Sequence, residues 1–548
     1  MHEPLNLCFI HGRADLIEHL RTLGHAILNL RPEEIVFDLP AALETAGFVP
    51  DAIIQTERLG SRTLLRGLPR LSCPKTFWSV DTHMNLDWHG HYGKLFDLVL
   101  TTQKAWIPRL QRAGIARVEW LPWFGVRRPF TPHPRRSRDI AFVGRVTEHR
   151  PGRMWFAQFL RRNYGVEPVE GLTFGQMMDW YADSRMVPNE TIFGEVNFRL
   201  FEAASCGCAV FNPNISEELT ELFEPSVEIE LFEHVFDLKF LIDRYRADPL
   251  AGMRLGLAAW ERVQREHLPE HRAGRLLERT LASGGSAATG EGARKAFTLA
   301  CFALWEGGRM DMSSDRVLEM LTSLGDDSEV LAARLRALAF LDQREALSEL
   351  LGTLLRKPKA GNLRLDCLCS LAALRLKEWD LAKLFWYRYV ESLKNRVAPK
   401  PDNAAQLCRL WAREQQRLGD LMRAGFLFRE DRHLPMTALE CLLTGLQADI
   451  EDLRTYQRLS QAVADVTGAE PGRMGFLSHL ALHDPANWRL SLELALTHLR
   501  AFRLDEGLSE LFSARDIAAR AGEQDRLVRI LAARDPGGLL ISALEDAE

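Results

Sequence analysis

The residues best suited to chemistry gather in two stretches. The first is Gly144-Arg145-Val146-Thr147-Glu148-His149-Arg150-Pro151-Gly152-Arg153, directly after the apolar run Ile140–Val143. A glycine at a strand end lets a ligand approach the backbone, and the start of the following helix offers free N–H groups. With Arg145, Arg150 and Arg153 around it, the loop suits a pyrophosphate. The same pattern also fits a solvated basic loop. The second stretch, Asn189 to Phe211, places polar groups ahead of a short helix that ends at Gly207. Arg199 and Glu202 are three apart and share one helix face. With Asn197 in the first turn, that face can hold a phosphate and a sugar hydroxyl pair. A carboxylate suits a ribose diol because it accepts two hydrogen bonds at once. The plainer alternative is a surface Arg–Glu pair of little energetic weight.

A third candidate is Asp81-Thr82-His83, which follows the β-rich run Thr76–Val80. A general base must reach the group it deprotonates within hydrogen-bond distance, and histidine is matched to neutral pH. Asp81 can equally cap the helix that follows. His83, Asp87, His89 and His91 invite a metal reading, but their spacing matches no common site, and no metal is expected.

These residues need elements to hold them. Over the first 280 or so residues, short β-rich runs alternate with helical stretches, the grammar of parallel doubly wound sheets. One strand series comprises Leu5–Ile10, Ala26–Leu30, Ala52–Gln55, Thr76–Val80, Leu98–Thr101 and Val118–Leu121. The second comprises Ile140–Val143, Glu167–Val169, Met186–Pro188, Ala209–Asn212 and Val227–Leu231. The Pro- and Arg-rich segment Arg127–Arg136 between them cannot hold a helix and reads as a hinge. Two such domains facing each other bind ligands at the C-terminal ends of their strands. Ser283–Gly292 has the composition of a flexible linker, and beyond it only helical periodicity continues. Leu368–Tyr387 follows tetratricopeptide spacing and Leu492–Leu511 repeats the idea, so an α-solenoid is expected. The expected organisation is therefore one Rossmann-like domain at 1–133 and a second Rossmann-like domain at 134–281. A flexible linker at 282–293 and a helical domain at 294–548 complete it.

Composition narrows the class. Apolar residues at 46% and charged residues at 26% are those of an ordinary globular protein. A net charge of -5 gives no electrostatic case for nucleic-acid binding. No run approaches the length of a membrane helix. The N-terminus lacks a basic leader, so a cytoplasmic protein is expected. Nine scattered cysteines read as small core residues in a reducing compartment.

Several of these residues carry a resemblance. Phe142-Val143-Gly144, Arg150, Asn189, Asn197-Phe198-Arg199-Leu200-Phe201-Glu202-Ala203, Cys206-Gly207, Glu221-Leu222-Phe223-Glu224 and Glu228-Ile229 resemble the CgeB-like glycosyltransferases of GT-B architecture. So do Phe77–His83, Phe96–Val99 and Val118–Pro122. The resemblance covers roughly residues 50–280. It implies transfer of a sugar from a nucleotide-diphosphate donor, with no metal or other cofactor. Gly144 would border the donor, Arg150 with Arg145 or Arg153 would neutralise the diphosphate, and Glu202 would hold the ribose. Asn189, Asn197 and Arg199 would shape the same pocket. Relatives often carry glutamates eight apart; here Glu195 and Glu202 are seven apart and position 194 is Gly. Asp81 and His83 are the candidates for a base. The helical half is expected to recognise a protein acceptor. The competing expectation is a binding or scaffold protein with a decayed transferase fold.

Overall fold

Runs that are apolar without alternation become parallel strands covered on both faces, and Ala52–Thr56 and Lys75–Ser79 are buried along their whole length. The computed structural model describes residues 3–58, 60, 62–357, 362–393 and 399–545. In chain order the strands are β1 (Asn6–Ile10), β2 (Ala26–Leu30), β3 (Val36–Asp38), β4 (Ala52–Thr56), β5 (Leu64–Arg66), β6 (Lys75–Ser79), β7 (Leu98–Thr101), β8 (Val118–Trp120), β9 (Arg138–Ile140), β10 (Ser184–Pro188), β11 (Ala209–Pro213) and β12 (Glu230–Phe232). They form a six-stranded parallel sheet of order β2-β1-β4-β6-β7-β8 and a four-stranded parallel sheet of order β12-β11-β10-β9. β3 and β5, which the sequence reading did not single out, pair with each other. After β12 only helices follow among the described residues. The chain is α/β followed by all-α.

The chain divides into two compact units. One is Met1–Pro122 with Ala273–Ala462, the other Trp123–Arg272 with Val463–Glu548. The helical half therefore does not stand as a body of its own. Ala293, Ala296, Ala300 and Leu304 of helix Gly290–Glu306 share a core with Ile10, Phe77, Trp88 and Val99 of the six-stranded unit. Trp488, Leu492, Leu496 and Leu511 share a core with Ile140, Phe156, Phe211 and Ile242 of the four-stranded unit.

The tract read as a flexible linker follows a fixed path. The Asp97 side chain accepts N–H bonds from Gly285 at 2.9 Å, Ser286 at 3.1 Å and Ala287 at 3.2 Å, and the next helix begins at Gly290. Small residues let three successive amides converge on one oxygen. Arg127–Arg136 holds only a 3-10 turn, His133–Arg135. Its last residue is anchored: Arg136 is buried and donates to the carbonyls of Thr131, Ser184 and Cys206. Two expected strands contract. Regular pairing of β9 stops at Ile140, and Val143 meets Val169 in a single parallel bridge. The nine cysteines are free and eight are buried. Among the described residues no helix is long and apolar enough to cross a membrane.

Candidate functional site

The four-stranded unit gathers most of the candidates around the end of β9. Beyond Ile140 the chain reaches Gly144, where a Cβ would lie 2.9 Å from Arg199 Nη2 and 3.7 Å from Arg153 Nη1. The absent side chain leaves room for guanidinium groups. Arg199, on helix Phe198–Ser205, is buried and lies 4.9 Å over the Phe142 ring. Its Nη1 donates to Asn189 Oδ1 at 2.6 Å and its Nη2 to the Val143 carbonyl at 3.2 Å. Among the described residues it makes no ion pair. A buried guanidinium held only by neutral acceptors keeps its charge available to an anion.

Arg150 and Arg153 bracket the start of helix Pro151–Tyr164. Both turn to Glu190, which is 2% exposed. Arg153 Nε donates to Oε2 at 2.8 Å, while Arg150 Nη2 reaches Oε1 only at 3.5 Å. Burial holds the Arg153 guanidinium below its ordinary value. Arg145 is exposed and contributes its carbonyl to Arg153. Arg150 and Arg153 thus share the one carboxylate of Glu190, while Arg199 stands beside Gly144 on neutral acceptors alone.

Asn189, at the end of β10, has its amide fully used. Nδ2 donates to Asn197 Oδ1 at 2.9 Å and Asn212 Oδ1 at 2.6 Å, and Oδ1 accepts from Arg199, Asn197 and the Glu190 N–H. Completely buried, it positions Arg199 rather than offering groups to a ligand. Asn197 precedes the Phe198–Ser205 helix and donates to Asn189 Oδ1 and the Glu190 carbonyl instead of capping it. Glu202, half-buried on that helix, lies within electrostatic range of Tyr181 and Cys206.

The sequence reading does not single out Glu190, the buried partner of Arg150 and Arg153, or the support beneath it. The Phe193 N–H donates to the Thr467 carbonyl at 2.8 Å, and Gly468 packs against Ile192. The loop after β10 is therefore braced by the start of the C-terminal helices. Glu470, in the same brace, accepts from the Gly468 N–H at 2.7 Å, and burial pushes its carboxyl up to about 7.

In the six-stranded unit, Asp81 precedes helix Thr82–Tyr92 but makes no side-chain cap. Glu57, just after β4, instead fixes the approach to the helix: Oε2 accepts the N–H of Val80 at 2.7 Å and of Asp81 at 2.8 Å. His89 meets Glu57 at 3.3 Å and Ser79 at 2.9 Å. Burial alone would raise the Glu57 carboxyl, but His89 and these amides hold it low. His83 is buried on the first turn of the helix. Elsewhere in the histidine-rich stretch, Asp87 faces Arg309 at 3.6 Å, and Asp87 and His91 line one cavity. In the four-stranded unit, His234, Asp237 and Asp535 bring ligand atoms within 4.8 Å of one another. Their carboxylates already accept backbone N–H groups, Asp237 from Glu233 and Asp535 from Leu540.

Residues 131–278 match the family model described as glycosyl transferase-like. That segment holds every donor-side candidate. No curated protein sequence matches the chain. Solved structures similar to it include a glycosyltransferase from Rickettsia africae, at 10% identity and a TM-score of 0.38, covering 51% of this chain and 98% of that one. Anabaena HepE in complex with UDP-glucose is similar at 13% identity and a TM-score of 0.37, covering 50% and 99%. Sucrose-phosphate synthase from Thermosynechococcus elongatus is similar at 14% identity and a TM-score of 0.38, covering 51% and 100%.

Proposed function

We propose that the protein is a glycosyltransferase of GT-B type that moves a sugar from a nucleotide-diphosphate donor to an acceptor. The observation that carries this reading is the cluster of guanidinium groups at Gly144: Arg150 and Arg153 share the single carboxylate of Glu190, and the buried Arg199 beside them has no ion-pair partner among the described residues. A nucleotide diphosphate supplies the missing negative charge, and its charge grows as the sugar leaves. The guanidinium groups take the part that a divalent cation plays in other transferases, so the reaction is proposed to be metal-independent. Arg150, half-exposed and loosely held, turns from Glu190 to the diphosphate, with Arg145 at the rim. Glu202 takes the ribose hydroxyls. Asp81 and His83 are the proposed base pair on the acceptor side, and a protein is the proposed acceptor, met by the helical half. The glycosyl transferase-like match over residues 131–278 supports the same reading.

A sugar-nucleotide-binding protein without transfer is the competing reading, favoured by the seven-residue spacing of Glu195 and Glu202. Thermal shift against UDP-, GDP-, dTDP- and CMP-sugars identifies a donor, because a ligand of the native state stabilises by mass action. Release of the free nucleotide, followed by chromatography, then separates turnover from binding. No stabilisation by any nucleotide sugar would remove the donor site.

A further inference from the structure

A second charged cavity lies inside the six-stranded unit, apart from the donor site. It has a volume of about 160 Å³ and is bounded by helix Thr82–Tyr92, Trp106, helix Ile107–Arg112, helix Ser328–Phe340 and the turn at Gly419–Ala424. Each carboxylate that lines it faces a cation, although neither oxygen of Asp87 has a hydrogen-bond partner among the described residues. Glu329 is met by Lys94 at 3.3 Å and Lys295 at 3.0 Å, Asp420 by Arg364 at 3.1 Å, and Asp87 by Arg309 at 3.6 Å. Two lining arginines are left over. Arg109 lies 4.2 Å over the Trp106 ring, and Arg112 donates to the Leu418 carbonyl. Among the described residues neither makes an ion pair. Burial, and then the like charge of Arg112, push the Arg109 guanidinium down, against the opposite charge of Asp420.

The walls add further groups. His91 lines the cavity with a buried Nδ1 that has no hydrogen-bond partner, and burial pushes its ring down to about 3, so it is neutral at physiological pH. Arg423 Nη2 is likewise buried and unbonded, although its other nitrogens meet Glu306 and Glu440. Arg112 is exposed and Arg109 half-buried, so the pair runs from the rim inward. A cavity of this size, close to that which holds benzene in an engineered protein core of about 150 Å³, takes one small ligand. Partly desolvated guanidinium groups without a close ion-pair partner are costly, and planar forks are suited to tetrahedral oxyanions.

We propose that this cavity binds phosphate, either as the free anion or as a small phosphomonoester, with Arg109 and Arg112 as its principal ligands. The bound anion would tie the helices of the six-stranded sheet to the turn at Gly419–Ala424 within one unit. It does not rest on the glycosyltransferase reading.

The test uses the full chain. Thermal melting is followed against inorganic phosphate, against a hexose phosphate, and against sodium chloride of matched ionic strength. A saturable rise with either phosphate and not with chloride is expected, and the more potent of the two identifies the source. Arg109→Ala and Arg112→Ala should each weaken the apparent affinity by about tenfold or more. Arg112→Ala, at an exposed rim, keeps the test open if Arg109→Ala does not fold. Arg150→Ala, in the donor site, should leave the phosphate response unchanged. A response no larger than that of chloride would overturn the proposal. So would a response that survives both cavity variants or disappears with Arg150→Ala, since the phosphate would then sit elsewhere.

Discussion

Arg153 donates to the buried Glu190 carboxylate at 2.8 Å, and Arg150 approaches the other oxygen of the same group at 3.5 Å. The two arginines therefore have different duties. Arg153 is 11% exposed and neutralises a carboxylate that is 2% exposed, whereas Arg150 is 31% exposed and free to turn. Arg150→Ala should raise the donor dissociation constant and lower turnover, with little change in melting temperature. Arg153→Ala should cost stability, by about 3 kcal/mol, because it removes the close partner of a buried charge. Calorimetric titration with donor and chemical denaturation of both variants check this. Equal loss of stability in the two variants would mean that Arg150 is structural as well.

Glu202 is half-buried on helix Phe198–Ser205, and its neighbours Leu200, Phe201 and Ala203 carry the packing. Glu202→Ala should leave the fold intact and weaken donor binding by about 1.5–3 kcal/mol, the cost of losing a charged hydrogen bond to a ligand. Comparing the ribonucleotide with its 2′-deoxy form sharpens the test. The wild type should prefer the ribonucleotide and Glu202→Ala should lose that preference; an unchanged preference would place the ribose elsewhere.

Much of this site could be read from residue order, and the rest could not for a definite reason. Gly144, Arg150 and Arg199 stand after a strand or at the start of a helix, and Glu202 lies one turn on from Arg199, positions that hydrophobic patterning locates well. Glu190 stood beside Asn189 in the same stretch, but its meaning depends on Arg153, 37 residues away, and only parallel pairing of β9 with β10 brings them together. Asn189 read as a ligand residue because polarity is visible in sequence and saturation of its hydrogen bonds is not. The same limit applies to Ser283–Gly292. Its composition is that of a flexible tether, yet Asp97, 188 residues before Gly285, collects its amides.

The brace behind the donor loop should report on pH. Burial raises the Glu470 carboxyl from 4.5 to about 7. A group whose folded value is raised stabilises fully below its unfolded value, and that contribution is lost as pH rises through the folded value. Stability from Glu470 is therefore present below 4.5 and fades between 4.5 and about 7. Glu470→Gln keeps an acceptor for the Gly468 N–H and cannot ionise. Its melting temperature should exceed that of the wild type above neutrality, and the difference should shrink towards pH 4.5. A difference that does not change with pH would show that Glu470 does not titrate in this range.

The helical half should prove inseparable from the sheets. A chain ending at Leu281 retains every proposed donor residue, so a modular tail could be removed without harm to nucleotide binding. The cores argue otherwise. In the six-stranded unit, truncation uncovers Trp88, Phe77 and Val99, which pack with Ala296, Ala300 and Leu304. In the four-stranded unit it removes Phe502, whose ring lies 4.8 Å from that of the fully buried Phe156, along with Leu492 and Leu511. It also removes Thr467, the acceptor for the Phe193 N–H in the donor loop. Each large side chain returned to water costs about 1.5–3 kcal/mol, and a handful of them equals the whole stability of a typical domain, about 5–15 kcal/mol. The truncated chain should therefore be insoluble, or soluble without a cooperative melt and without a donor-induced shift. A monomeric truncated protein that melts cooperatively and binds donor like the full chain would show that the shared cores are dispensable. It would return the helices to a detachable, acceptor-facing role.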